Sequence, residues 1–280
     1  MRQREKRHGL VCIAIVALVV MAPMVWAVDA EPVDAPPLRD AASWPLSGQA
    51  YAVRFLPAAV IRVDGRRDEP AWEKADVERG FCFPWRHEEA PATEFRAVCT
   101  DHHLAFMFRV HDDDIVVLDA LREEEDVVLE DRVEMLFAVD DRLGRYGCIE
   151  IDSRGRVFDY AGAYYRRFDP SWRFVGAEIA ALPLEGGYLV EGRIPLESLE
   201  KLGLPRLKPG VQVRCGLYRA EFSHDTSGGP AKPPADPLHT HGRSVDGPAP
   251  IQDWISWIDP GTSQPDFHVP SSLGLLKIVD

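Results

Sequence analysis

A two-residue period dominates the chain. Leu104, Phe106, Phe108 and Val110 alternate with Ala105, Met107 and Arg109, the pattern of a half-buried strand. Residues 133–139 read as a strand buried over most of its length. Ile149, Ile151 and Val157 stand on either side of Ser153-Arg154-Gly155-Arg156, a hairpin turn whose glycine permits a positive φ. Residues 188–195 form another strand, ending at Pro195, which cannot donate to a ladder. Residues 196–202 predict a short helix before Pro205, and 211–222 and 273–279 predict further strands. Many short strands with turn signals between them predict an all-β fold. The expected architecture is a single antiparallel β-sandwich, jelly-roll or immunoglobulin-like.

Three stretches break the period. Residues 1–27 have the layout of an export signal: Arg2, Arg4, Lys6 and Arg7, an apolar core from Leu10 to Val20, then Val25-Trp26-Ala27 at the cut. A second cut is available after Ala30. The rival reading is a retained anchor over 10–27, about 18 residues, the lower edge of a bilayer span. Residues 28–50, with several prolines and alanines, read as a linker ahead of the domain at 51–280. Residues 223–250 are rich in Gly, Pro, His and Ser and have no apolar period, so they read as a long functional or disordered loop. The chain is therefore expected to be secreted or periplasmic, with no stable membrane association after signal cleavage.

Charge narrows the partners. The net charge is −13, becoming about −16 once residues 1–27 are removed. Nucleic acid and anionic membranes demand a basic footprint, so both are excluded as partners. Four cysteines remain after cleavage: Cys82, Cys99, Cys148 and Cys215. They permit disulfides in an exported chain, with the pairing open, or buried thiols, and the absence of a C-x-x-C spacing argues against structural zinc.

Several motifs recur in a fixed order: Asp64-Gly65 and Asp68-Glu69 with Trp72; Ala92-Thr93, Asp101, Leu104 and Asp112; Asp131-Arg132-Val133-Glu134; Gly187-Tyr188, Glu191 and Ile194-Pro195; Tyr218-Arg219; Ile255-Ser256-Trp257; and Phe267-His268-Val269-Pro270. Taken together the set resembles family 9 carbohydrate-binding modules, which are secreted β-sandwiches, over about residues 58–280. The resemblance implies a sugar ring held between two tryptophans, with polar groups on its hydroxyls. A pyranose has an apolar C–H face that packs on an aromatic plane, while its equatorial hydroxyls demand fixed donors and acceptors. By position, Glu134 matches the sugar-binding glutamate and Trp257 the second tryptophan. Val128 stands where the first tryptophan is expected, Glu150 where the family has an arginine, and Gly216 where it has an asparagine. Trp85 and Trp254 are the candidates for the absent ring, and Arg219 for a further hydroxyl contact.

The function expected from this is non-catalytic binding of a plant-type polysaccharide such as xylan, or of a related oligosaccharide. Acidic groups at Asp112, Asp114 and Asp131 suit structural calcium, which related modules hold; no organic cofactor is expected. Alternatives are a glycosidase using Glu134 with Glu150 or Asp152, and a structural or interaction sandwich that has lost its ligand. His224, His239 and His241 form a further metal candidate in the long loop, whereas His268 reads as architectural.

Overall fold

The computed structural model describes residues 40–223 and 251–280. The expected signal, the first part of the linker, and His224, His239 and His241 lie outside the described residues. Among those described, no helix is long and apolar enough to cross a membrane.

Among the described residues, twelve strands form one curled sheet: β1 Ala50–Phe55, β2 Thr93–Cys99, β3 His103–His111, β4 Arg132–Ala138, β5 Tyr146–Asp152, β6 Val157–Ala163, β7 Arg167–Asp169, β8 Glu178–Leu184, β9 Gly187–Pro195, β10 Gln212–Ser223, β11 Ile251–Ser256 and β12 Gly274–Val279. Their order is β7-β6-β5-β4-β10-β12-β1-β2-β3-β9-β8, with β11 also paired to β10. The expected helix is α2, Leu196–Leu202; a five-residue helix, α1, spans Pro70–Lys74.

β10 makes the sheet fold over on itself. On one side, Arg214–Ala220 pairs with β4. On the other, its first residues pair with β12 and its last, from Tyr218, with β11. The apolar faces of the two halves meet there. Val133, Met135 and Phe137 of β4 and Cys215 and Leu217 of β10 join Phe95, Phe106, Phe108 and Val190 from the far half in the main core. Each fully buried side chain of this size contributes roughly 2 kcal/mol by its removal from water.

The expected all-antiparallel pairing needs one correction. β1 runs parallel to both β12 and β2, because the chain enters the sheet between two strands that already point its way. The expected linker also shows contacts with the sandwich at its end: Trp44 Nε1 donates to the Tyr164 hydroxyl at 3.2 Å, and the Ser47 carbonyl accepts from Arg214. The four cysteines are free thiols: Cys99 and Cys215 in the main core, Cys148 on the opposite face of its sheet, Cys82 half-buried.

The opening motif is explained by one buried carboxylate. Glu191 Oε2 accepts from the Asp64 and Gly65 backbone N–H groups at 2.9 and 3.0 Å, and its Oε1 accepts from Trp72 Nε1 at 3.0 Å. Gly65 has φ +78°, and a Cβ there would press against Ala181 and Leu182 of β8 at 3.1–3.2 Å. Glu191 thus ties the Asp-Gly turn and the tryptophan of α1 to the sheet. Trp72 in turn fills a third apolar cluster on the outer face of β2 and β3, with Ala105, Met107 and Leu189.

Candidate functional site

Successive residues of a strand face opposite ways. In β4, Val133, Met135 and Phe137 enter the core, so Arg132, Glu134 and Leu136 face outward. That outer face is not bare. Val127 and Val128, from a short 3-10 helix at Glu124–Leu129, and Phe267 and Leu273, from the closing segment, form a second apolar cluster with Tyr146, Tyr160, Tyr218 and Trp254. Within this layer lies a pocket lined by Trp85, Arg132, Glu134, Glu150, Arg166, Trp254, Pro265, Asp266, Phe267 and His268. Its unfilled space is about 360 Å³ when the open mouth is included.

Strand register builds the polar floor. Glu134 of β4 stands opposite Glu150 of β5. Arg132, two residues from Glu134 on the same face, reaches both. Its Nε is 2.7 Å from Glu150 Oε2 and its Nη2 is 2.9 Å from Glu134 Oε1, while Nη1 donates to the Val128 carbonyl at 2.7 Å. Tyr160 of β6 donates to Glu150 Oε1 at 3.1 Å. All four side chains are nearly sealed from solvent, Arg132 to 1% exposure. Burial pushes the Tyr160 phenol and the neighbouring Cys148 thiol well up, which keeps both neutral.

The walls are aromatic. The Arg132 guanidinium lies over the Trp254 ring, 5.3 Å from its centroid. Phe267 stacks on Tyr218 at 4.2 Å and 9° and meets Trp254 and Trp85 at 5.4 and 5.3 Å. Tyr218 needs the glycine beside it: a Cβ on Gly216 would fall 1.9 Å from the Tyr218 hydroxyl. Hence Gly216 stands where an asparagine was expected. Trp85 is only half-buried, the most exposed of the three aromatic walls, and donates from Nε1 to the Thr262 carbonyl at 2.9 Å.

Of the expected sugar-binding residues, the structure brings Glu134, Trp85 and Trp254 together. Trp257 and Arg219 are elsewhere. Trp257 is 2% exposed, sits in the main core and packs against Gly274. It stands three positions after Trp254, so the two face opposite sides of the chain; Trp254 faces the pocket and Trp257 cannot stack on a ligand. Arg219 is fully buried on the inward face of β10, the side opposite Tyr218. Arg132 and Phe267 were missed as site residues. The Arg132-x-Glu134 spacing was the legible signal for the first; nothing local marks the second, whose partners are remote in sequence. Asp152 is bonded to Arg156 and to the Arg154 and Arg156 backbone and does not line the pocket.

A second charged cluster closes the inward end of the core. Asp112 and Asp131 meet there with Glu221, offering oxygens that all lie within 4.8 Å of one another. Asp114 is exposed and donates its backbone N–H to Asp112 Oδ1; the third carboxylate of the cluster is Glu221. Arg219 Nη2 pairs with Glu221 and lies 3.7 Å from Asp112 Oδ2. Asp131 accepts from the Val116 and Phe222 N–H groups at 2.5 Å. Three carboxylates against one guanidinium leave the site over-supplied with negative charge. Burial, with repulsion from Asp112 and Glu221, pushes Asp131 up to about 9, and burial pushes Glu221 to about 7. Nearby Glu130, buried against Asp152, is pushed to about 8.

These shifts predict a pH dependence. Each folded-state value lies above the unfolded one, so the folded form binds protons more tightly. The stability gained is complete below the ordinary carboxylate range and is lost as pH rises through about 7 to 9. Thermal melts in chelator are expected to fall by roughly 5 °C or more between pH 6 and pH 9; a flat or rising Tm would contradict this charge balance.

No protein-family model matches the chain, and no curated protein matches it. Solved structures do. One is a "putative carbohydrate-binding protein" from Bacteroides uniformis ATCC 8492, at 16% identity and TM-score 0.61, covering 83% of this chain and all of that one. Another is a family 9 carbohydrate-binding module from Caldicellulosiruptor kristjanssonii in complex with cellotriose, at 14% identity and TM-score 0.51, covering 82% and 94%. At such identities the likeness is one of fold: the chain has the fold of family 9 carbohydrate-binding modules.

Proposed function

We propose that this protein is an exported, non-catalytic carbohydrate-binding module whose site is the outward pocket of β4, β5 and β11. The observation that carries the reading is the meeting of Glu134 with Trp254 and Trp85 in one pocket. Aromatic planes for a pyranose face converge there with fixed charged groups for its hydroxyls. Likeness of fold to a module solved with cellotriose supports the same ligand class. Trp85, the most exposed of the aromatic walls, swings outward on binding. Plant-type glucans and xylan are the polysaccharides proposed.

The test is calorimetry with cello- and xylo-oligosaccharides. Trp254→Ala is expected to weaken binding at least about tenfold, the loss of roughly 1.4 kcal/mol of stacking, while leaving the fold intact. Binding that is unchanged in Trp254→Ala overturns this site. The paired Glu134 and Glu150 both bond the Arg132 guanidinium at the floor of the pocket, which favours a binding role for them over hydrolysis.

Calcium is proposed as a structural ion at Asp112, Asp131 and Glu221. The residues fit it: hard oxygen donors, an excess of two negative charges once all three carboxylates are ionised, and buried Asp112 Oδ2 and Tyr188 hydroxyl oxygens that make no hydrogen bond. Calcium is expected to raise Tm most near pH 9, where protons no longer compete for the carboxylates. Equal melts with calcium and with chelator at that pH would remove the ion from the account.

A further inference from the structure

Away from the pocket, arginines gather on the outer face of β2 and β3. Phe95 and Phe108 enter the core, so Glu94 and Arg96 of β2 and Arg109 of β3 face outward. Arg109 stands directly across from Glu94 and diagonal to Arg96, a separation of roughly 7–8 Å that long side chains can span. Arg79 grips Glu94 through its Nε–Nη2 edge at 3.0 and 2.8 Å. Arg67, beside the Asp64-Gly65 turn, completes the group. We propose that this face holds an anion site, centred on Arg96, for a phosphoryl group that is either free or carried by a saccharide.

Arg96 is fixed in place with half of its donors unused. Its Nη1 donates to the Trp72 and Ala75 carbonyls at the end of α1, both at 3.1 Å. The residue is only 7% exposed. Its other edge, the one through which Arg79 holds a carboxylate, has no acceptor: among the described residues neither Nε nor Nη2 makes a hydrogen bond, and Nε is sealed from solvent. A buried donor without an acceptor is costly, and a charged one more so. Burial, and then repulsion from Arg67, pulls the Arg96 pKa below its usual value.

The charge around it is not balanced from within. Arg67 is exposed and Arg109 half-buried, and neither side chain forms a hydrogen bond or ion pair with a described residue. Nearby carboxylates are engaged elsewhere: Glu94 by Arg79, Asp64 by Arg62, Glu69 by Trp72 and Glu191 by the opening turn. Three guanidiniums thus stand without a carboxylate, in a chain whose 45 acidic residues outnumber its 32 basic ones. The overall negative charge turns away broad anionic surfaces. Salt screens it beyond about 10 Å at 0.1 M, so the local cluster decides the fate of a small ligand. Guanidinium forks match phosphate oxygens two at a time. A phosphate monoester brings about −1.5 to −2 charges at neutral pH, against one for a carboxylate, so three guanidiniums favour the phosphoryl group.

The experiment is calorimetry on the full chain at about pH 7.5, where the phosphoryl group is doubly charged, without added calcium. Inorganic phosphate, glucose 6-phosphate and acetate are the ligands. Inorganic phosphate is expected to bind at least about tenfold more tightly than acetate. Tighter binding of glucose 6-phosphate assigns the site to a phosphorylated saccharide; equal or weaker binding assigns it to phosphate itself. Arg67→Gln and Arg109→Gln are each expected to weaken phosphate binding about tenfold. Arg142→Gln, which removes the same charge from the turn between β4 and β5, leaves it unchanged. Arg96→Lys keeps the charge, loses the fork and is expected to weaken binding at least as much; should it fail to fold, the Arg67 and Arg109 variants decide. The site is overturned by absence of phosphate binding, by equal affinity for acetate, or by binding that survives intact in both Arg67→Gln and Arg109→Gln.

Discussion

Glu191→Ala is expected to be the most damaging single substitution in the domain, lowering stability by roughly 4 kcal/mol. The carboxylate is sealed from solvent and accepts from the Asp64 and Gly65 N–H groups and from Trp72 Nε1. Alanine strands the two backbone donors, leaves Trp72 Nε1 with its 3.1 Å bond to Glu69 Oε2 alone, and opens a hole beneath Trp72. Each unsatisfied buried donor costs about 1–3 kcal/mol. For a domain of this size the fall corresponds to a drop in Tm of roughly 8–16 °C. Burial itself raises the Glu191 pKa, so part of the bonding energy is offset by the cost of keeping the charge dry. Glu191→Gln retains one carbonyl oxygen as acceptor and should lose about half as much. Thermal melts of the two variants check the order. An alanine variant within a degree or two of wild type would mean that the opening turn is held by something else.

Arg132→Met should rank second, and its signature is recovery rather than loss. Removing the guanidinium takes away the cation that both buried carboxylates, Glu134 and Glu150, meet. Breaking a buried ion pair in this way costs about 3–5 kcal/mol, because the remaining charge is uncompensated. The triple variant Arg132→Met, Glu134→Gln, Glu150→Gln removes all three charges and keeps nearly the same volume. It should regain most of the lost stability, since replacing a whole buried ion cluster is close to neutral. Denaturant unfolding of the single and triple variants measures both quantities. If the triple variant is no more stable than the single one, the cluster is not the electrostatic unit described above. The triple variant should hold sugar more weakly, because the charged groups of the floor are gone.

Much of the fold was legible because burial in a strand leaves a local trace. Leu104 to Val110 and Val133 to Val139 alternate as they must when one face meets the core, and α2 follows the proline that ends β9. What was not legible is which way the sheet curls. The branching of β10, paired to β12 at its start and β11 at its end, depends on partners far away in sequence, and so does the parallel insertion of β1. The motifs carried the architecture well. Asp64-Gly65, Trp72 and Glu191 are one bonded unit, and Tyr218, Phe267 and Ser272 another, with the Tyr218 hydroxyl 2.8 Å from Ser272 Oγ.

The site was half legible, for a reason rooted in strand parity. Glu134 was found because its motif and its outward position agree. Trp257 matched by sequence position, yet its place three residues after Trp254 puts it on the core side, where Gly274 makes room for its ring. Val128, standing where a tryptophan was expected, is core filler beneath the 3-10 helix rather than an empty wall. The aromatic surface is supplied instead by Trp254, Trp85 and Phe267, which converge only once the closing segment folds over β4 and β10. In the same way inward parity on β10, not proximity to Asp112 in sequence, brings Glu221 to the acidic cluster.

The central claim, that the outward pocket holds the sugar, is tested most directly by a two-dimensional NMR titration of the tryptophan indole N–H signals. Cellotriose and xylotriose are the ligands. The account predicts that the Trp85 and Trp254 signals shift with ligand, Trp85 the more because its bond to Thr262 breaks, while the buried Trp72 and Trp257 stay in place. Shifts confined to Trp257 or Trp72, or none at any tryptophan, would contradict it.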